Sequence, residues 1–371
     1  VIGTAATIVY SVSPNATLTL ASATVSTSNG IATFAFSSIR GTIGSYTISY
    51  SVSGASASSI ASVSQTLTLT HGVASNYVFV QQPTTARAGI SLSEAVVIKV
   101  VDAEGNLVST GNHSTGSAIL STDVATTSLS GTLTATFSAG IATFSNLAVT
   151  GSTSAAVRLY ANYVVPYLNG FGNSSLFSLT AGVPNRLAIL SGQPTSVSAG
   201  VTQSSNIVVR LHDAWGNTTS QSVTVSIAVN AVDPLNNTVV KKFIGGFTIS
   251  PLATSVTIAK ENFTLTAAGD YQFRFSATDL STAVSREVTI KNAAAAKLIL
   301  TRDVPSTISS GLTISPALRL QVQDIYDNPV LDSVTTVSAT LISGTLQSMS
   351  GATASNTLGS SYIEFPDLNL A

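Results

Sequence analysis

The sequence predicts an all-β protein, a tandem array of antiparallel β-sandwich domains with about 111 residues to the unit. Three observations predict it. Pro83, Pro194 and Pro305 stand 111 residues apart, as do Gly89, Gly200 and Gly311, and again Asp102, Asp213 and Asp324. A period of that length, held twice without drift, is one domain type in series. Ahead of Asp102, the apolar residues Val96, Ile98 and Val100 flank Lys99; Ile207, Val209 and Leu211 do the same around Arg210, and Leu318, Leu320 and Val322 around Gln321. Apolar-in, polar-out at period two marks a half-buried strand. Finally, Ser, Thr, Val and Ile dominate between Gly, Asn and Pro turns, with no sustained helical period. About seven short strands to a unit read as an antiparallel sandwich.

Aligning the copies sets the boundaries. Residues 1–73 form a partial unit, 74–182 and 183–293 complete ones, and 294–371 a partial one. Gly30-Ile31-Ala32-Thr33-Phe34 matches Gly140-Ile141-Ala142-Thr143-Phe144 at a spacing of 110, so the first unit is expected to lack its opening strands. Leu368-Asn369-Leu370 matches Asn146-Leu147-Ala148, so the last is expected to lack its closing strands. The chain then reads as a slice of a longer array. The joint Leu179-Thr180-Ala181-Gly182-Val183-Pro184 is short, which leaves little slack between units.

Composition narrows the function classes. Only 8% of residues are charged, 15 basic against 16 acidic, for a net charge of -1. No basic stripe for nucleic acid exists. Arg40 is the one charged residue ahead of Arg87. A surface so neutral has little like-charge repulsion to keep copies apart, so it is expected to associate or to be covered by glycans. Hydrophobic residues make up 44%, enough for packed cores and unlike a disordered chain. The absence of cysteine excludes disulfides, thiolate metal sites and cysteine nucleophiles. No apolar run is long enough for a spanning helix.

The run Gln193-Pro194, then Ala199-Gly200, then Val208-Val209-Arg210-Leu211-His212-Asp213-Ala214-Trp215-Gly216-Asn217 resembles the bacterial Ig-like and filamin-type repeats of large extracellular surface or fibre proteins. Gly140-Ile141-Ala142-Thr143-Phe144-Ser145-Asn146-Leu147 is similar to the same group. The resemblance covers the whole chain. It implies Ig-like sandwiches in tandem, as in adhesins, stalks or extracellular fibres, and its motifs carry no chemistry. The last copy, Asp324-Ile325-Tyr326-Asp327-Asn328, departs from it by placing Asp where Gly stands, and Asp tolerates the left-handed backbone region better than most residues.

Candidate sites are few. Asp102, Glu104 and Asn106 place oxygen side chains at alternate positions, which fits either a β-turn between strands or a calcium loop. Glu104 becomes Trp215 and Tyr326 in the other copies, which weighs toward the turn. His71, His113 and His212 occupy non-equivalent positions and no nucleophile motif accompanies them. Asn-x-Ser/Thr sequons at Asn15, Asn112, Asn173, Asn217, Asn236 and Asn262 are glycosylation candidates, although their number is what this Ser/Thr content predicts by chance. Asn217 falls in the repeated turn, where exposure is expected. The stretch 160–172 is the most individual, with Tyr163, Pro166, Tyr167 and Phe171 forming a candidate contact patch on a hairpin.

No catalytic set and no cofactor motif is present in the sequence. The leading reading is a structural component of an extracellular or cell-surface fibre, filament or stalk, with copies of itself as partners and glycans as a further partner class. The alternative is an adhesin or glycan-binding module that uses the 160–172 hairpin.

Overall fold

The computed structural model describes residues 5–14, 24–34, 40–54, 60–165, 172–222, 224–236, 238–345 and 347–371. The chain divides into two compact units, Val1–Gly182 and Val183–Ala371. Both are all-β and almost entirely antiparallel. Among the described residues helix is confined to single 3-10 turns such as Asn112–Ser114 and Lys260–Phe263.

Unit Val1–Gly182 opens with a four-stranded sheet in the spatial order Thr24–Ser26, Thr7–Ser13, Gly44–Ser53, Val63–Leu69. The residues after it build a sandwich. One sheet sets Val96–Val101 between Ile141–Phe144 and Asn76–Gln81. The other pairs Ser117–Thr122 with Leu159–Val165 and flanks them with Thr134–Thr136 and Gly172–Asn173. The inward residues Val96, Ile98 and Val100 are fully buried against Leu120, Phe144 and Leu159, which is where the period-two alternation puts them.

Unit Val183–Ala371 holds two cores. In the first, Ile207–His212 lies between Arg186–Ser191 and Ser255–Ile258, while Val225–Val232 lies between Val240–Ile249 and Gly269–Ala277. Phe263 and Phe273 meet edge to face there, with ring centres 4.8 Å apart. The second is smaller: Val322, Val330, Ile363 and Phe365 close over Ala295–Arg302, Leu318–Asp324 and Tyr362–Phe365.

The repeated prolines and glycines now have a mechanical reading. Strand Asn76–Gln81 ends, Gln82-Pro83 intervenes, and Thr85–Arg87 takes a new partner, parallel to Phe177–Thr180. Val197–Ser198 repeats this parallel to Val288–Lys291. A proline has no N–H with which to continue a ladder, so it marks the point where the strand changes partner. The preceding glutamine secures it: Gln82 Oε1 accepts the Ser175 N–H at 2.8 Å, and Gln193 Oε1 accepts that of Arg286 at 3.1 Å. Gly89, Gly200 and Gly311 then turn the chain at φ 70°, 77° and 78°, a region open to glycine at little cost. Their N–H groups donate to Val149, Leu265 and Leu370 carbonyls.

The Gly-Ile-Ala-Thr-Phe blocks open at two-residue hairpin turns. Asn29-Gly30 and Ala139-Gly140 both have two successive positive φ angles, between bridges Ser28 to Ile31 and Ser138 to Ile141. This is the turn whose twist matches paired strands, and it favours Asn-Gly. A Cβ on Gly140 would stand 2.2 Å from the Val108 carbonyl oxygen. We expect Ala139→Asn, which copies the first repeat, to stabilise the chain by about 0.5–1 kcal/mol, because it relieves a left-handed alanine. Gly140→Ala is expected to cost about 3 kcal/mol through strain and that close approach. Urea unfolding of the two variants beside the parent chain checks both; an Ala139→Asn variant less stable than the parent contradicts the turn assignment.

Candidate functional site at the Asp-Asn turns

The Asp-x-x-x-Asn segment forms the same closed turn in all three copies. The Gly105 N–H donates to the Asp102 carbonyl, and the Asp102 N–H to that of Asn106. Gly216 with Asp213, and Asp327 with Asp324, repeat the first bond. The third residue after the Asp has a left-handed backbone each time, at φ 82° for Gly105, 86° for Gly216 and 72° for Asp327. The expectation that Asp327 tolerates this position therefore holds.

The aspartates are buried: Asp102 is 3% exposed, and Asp213 and Asp324 are 0%. A buried carboxylate is stable only if hydrogen bonds replace its water. Asp102 Oδ1 accepts the backbone N–H groups of Glu104 at 3.0 Å and Asn106 at 2.8 Å. Its Oδ2 accepts the Asn106 amide at 3.0 Å and the Gly72 N–H at 2.7 Å. Gly72 lies outside the turn, in the segment that leads from strand Val63–Leu69 to strand Asn76–Gln81. Asn106 reaches further back. Its Nδ2 donates to the Gly41 carbonyl at 2.8 Å and its Oδ1 accepts the Ile43 N–H at 3.0 Å.

The other unit builds the same joint. Asp324 Oδ1 accepts from the Tyr326 and Asn328 N–H groups, and its Oδ2 from the Asn328 amide and the Ala293 N–H, all at 2.8–2.9 Å. Asn328 donates to the Thr266 carbonyl at 2.7 Å and accepts the Ala268 N–H at 2.8 Å. The loops gripped in this way are alike. Each leads through a glycine (Gly44 or Gly269) to a tyrosine whose hydroxyl donates to the carbonyl four residues back, Tyr46 to Thr42 at 2.6 Å and Tyr271 to Ala267 at 2.9 Å. In the Asp213 turn, Oδ1 accepts the Trp215 and Asn217 N–H groups and Oδ2 the Asn217 amide.

In the Asp102 and Asp324 turns the position that differs among the copies also faces the preceding repeat. Glu104 stands 3.6 Å from Arg40. Tyr326 packs over Gly200, where a Cβ would fall 2.0 Å from the tyrosine hydroxyl. His71 adds a local contact: its Nδ1 donates to the Gly72 carbonyl at 2.9 Å, and its Nε2 pairs with the Thr110 hydroxyl at 2.8 Å. His212 Nδ1 donates to the Gly216 carbonyl at 2.7 Å.

The remaining candidates distribute as follows. The Asp102, Glu104 and Asn106 side chains do not converge as a cation cage: the Asp102 oxygens are turned onto N–H donors and Glu104 faces Arg40. Among the described residues no cluster of three or more His, Asp or Glu side chains forms. The expected exposure of Asn217 is corrected. It is 9% exposed, because its amide turns inward onto Asp213. Asn112, Asn173, Asn236 and Asn262 are exposed, and Asn15 lies outside the described residues. Tyr163 belongs to strand Leu159–Val165, opposite Ala118. Pro166, Tyr167 and Phe171 lie outside the described residues.

No family model and no curated protein matches this chain. Solved structures that it is similar to include an I-band fragment of titin, I67-I69, at 13% identity and a TM-score of 0.23, covering 77% of this chain and 88% of that one. The chicken CNTN1 FN1-FN3 domains match at 14% identity and a TM-score of 0.21, covering 76% and 90%. A β-glycosidase from Bacteroides vulgatus matches at 13% identity and a TM-score of 0.19, covering 58% and 24%. Scores this low add nothing to what the sheets themselves establish.

The clasp carries a pH dependence. Burial pushes the Asp102 carboxyl up, but the bonds from Gly72, Asn106 and Glu104 outweigh it and hold its pKa below the ordinary value. Asp324 behaves alike, with Asn328, Ala293 and Tyr326 as donors. A pKa lower folded than unfolded gives stability that is complete above the unfolded value, about 4, and lost as pH falls through the folded one. We expect thermal stability to decline below about pH 4 and Asp102→Asn to flatten part of that decline. Asp102→Asn should also cost about 3 kcal/mol at neutral pH, since its NH2 meets N–H donors. Calorimetry between pH 3 and 7 reads both effects.

Proposed function

We propose that this chain is a structural segment of an extracellular fibre, filament or stalk, built as four Ig-like repeats over residues 1–73, 74–182, 183–293 and 294–371. The observation that carries the reading is the clasp. Asp102 with Asn106, and Asp324 with Asn328, tie a turn of one repeat both to the connecting segment and to a loop of the repeat before it. Polar groups spent in this way fix the angle between neighbours and leave no open chemistry. A protein whose most elaborate polar network serves its joints is built to hold length and direction.

The composition agrees. With 8% charged residues, the surface offers hydroxyls and apolar side chains to neighbouring copies rather than charge to a soluble ligand. Copies of the chain are its first partners. The exposed sequons Asn112, Asn173, Asn236 and Asn262 are positions for covering glycans. The chain works without a catalytic residue or cofactor, outside the cell or on its surface.

The joint part of the reading is tested by hydrogen exchange. In an Asn106→Ala, Asn328→Ala double variant, the amides of Ile43 and Ala268 should exchange at least about tenfold faster, as loss of roughly 1.4 kcal/mol of protection requires. Amides inside the sandwiches, such as Ile98 and Val209, should not change. Unaltered protection at Ile43 and Ala268 would remove the clasp from the argument. Electron microscopy of native material tests the fibre part: isolated monomers count against it, and ordered filaments or sheets support it.

A further inference from the structure

One repeat carries an edge strand unlike the others. Thr24–Ser26 and Thr134–Thr136 are 3-residue strands at the rim of their sheets. Val240–Ile249, in the corresponding place, has 10 residues. It pairs with Val225–Val232 on one side, and its other side pairs with no strand among the described residues. A long free edge is normally guarded by charges. Here the two lysines turn back onto their own domain: Lys241 Nζ donates to the Asp270 carbonyl at 2.6 Å, and Lys242 Nζ to that of Thr264 at 3.4 Å. Large apolar side chains stand open instead. Phe243 is 62% exposed, Leu235 at the hairpin tip 98%, and Leu252 just past the strand 79%.

We propose that Val240–Ile249 is a pairing edge for a second copy of this chain, joined antiparallel about a two-fold axis at Gly245. The strand is complementary to itself in that register. Lys241 and Ile244 are extra residues in the register with Val225–Val232; with them set aside, Phe243 falls opposite Gly246, Lys242 opposite Phe247 and Val240 opposite Thr248. No like charges oppose each other, so the pairing is free of the repulsion that usually disqualifies such an edge. Within its own sheet Gly246 pairs with Ala228 and Phe243 with Asn230, so both stand on one face of the sheet. A shallow groove lies over that face at Ala228, Gly246 and Ser276. The partner's Phe243 ring is delivered onto the bare backbone of Gly246, an aromatic over a glycine, and the reciprocal contact forms across the axis. A free C=O and N–H row supplies the hydrogen bonds. Several chains in register would add such weak contacts into a stable assembly.

This deepens the fibre reading and rests on it, so the test separates the two. The chain has no cysteine, so Phe243→Cys and Gly246→Cys can be made singly in the full chain. A Cβ at Gly246 meets no atom within 4 Å. Bridged cysteines need Cα atoms within about 7 Å, so a mixture of the two variants should cross-link at least roughly tenfold faster than either alone, with a 243–246 peptide in mass spectrometry. Phe243→Lys should weaken self-association by more than about tenfold in sedimentation equilibrium, with an unchanged melting temperature. If Phe243→Lys assembles like the parent and the mixture does not cross-link faster, the edge is wrong while self-association stands. If the parent chain stays monomeric up to about 100 μM, far above the range of specific contacts, both fall.

Discussion

The structure depends on a carboxylate taken out of water. Asp102 and Asp324 are buried, and an isolated buried charge costs far more than any single contact returns. Three donors to Asp102 come from its own turn: the Glu104 N–H, the Asn106 N–H and the Asn106 amide. The fourth, the Gly72 N–H, comes from the connecting segment. The turn can therefore form with its domain, but the carboxylate is fully satisfied only when the connection is in place. That makes the joint part of the fold rather than a tether beside it.

Around this fixed centre the joints are individual. The turn position after the shared Asp-x holds Glu104 in one joint, near Arg40, and Tyr326 in the other, over Gly200. The backbone clasp sets position, while the varying side chain adapts each joint to its own neighbour. Tyr46 and Tyr271 brace the gripped loops from behind by bonding the carbonyls of Thr42 and Ala267. Charged groups scarcely enter, in keeping with a chain whose polar material is mostly hydroxyl. Hydrogen bonds from backbone groups to a buried side chain are directional, so they hold an angle better than exposed ion pairs do.

The edge strand Val240–Ile249 belongs to one repeat, and its lysines reach the ends of the loop that Asn328 grips. Its length, its turned-back lysines and its open Phe243 set it off from the three-residue edge strands of the other repeats. The clasp residues are shared among the repeats, whereas the long edge strand is a departure of one repeat from the pattern.

The period at Pro83, Pro194 and Pro305, the alternation at Val96 to Val100 and the turn glycines determine the all-β class, the strand faces and the points where strands break, because these are local rules of spacing, pleat and φ. Asp102 to Asn106 was legible as a turn for the same reason, down to the left-handed Asp327. Its partners were not. Gly41 and Ile43 lie 65 and 63 residues away from Asn106, and nothing in a linear pattern says which distant carbonyl an amide will meet. The burial of Asn217 was hidden likewise, since the same sequon reads as exposed until the amide is seen to face Asp213. The repeated Gly-x-Tyr of Gly44-Ser45-Tyr46 and Gly269-Asp270-Tyr271 was the available signal for the gripped loops, and it is silent until the sandwiches bring those loops to the Asp-Asn turns. Local geometry is written in neighbouring residues; the satisfaction of a buried charge is decided only where distant segments meet.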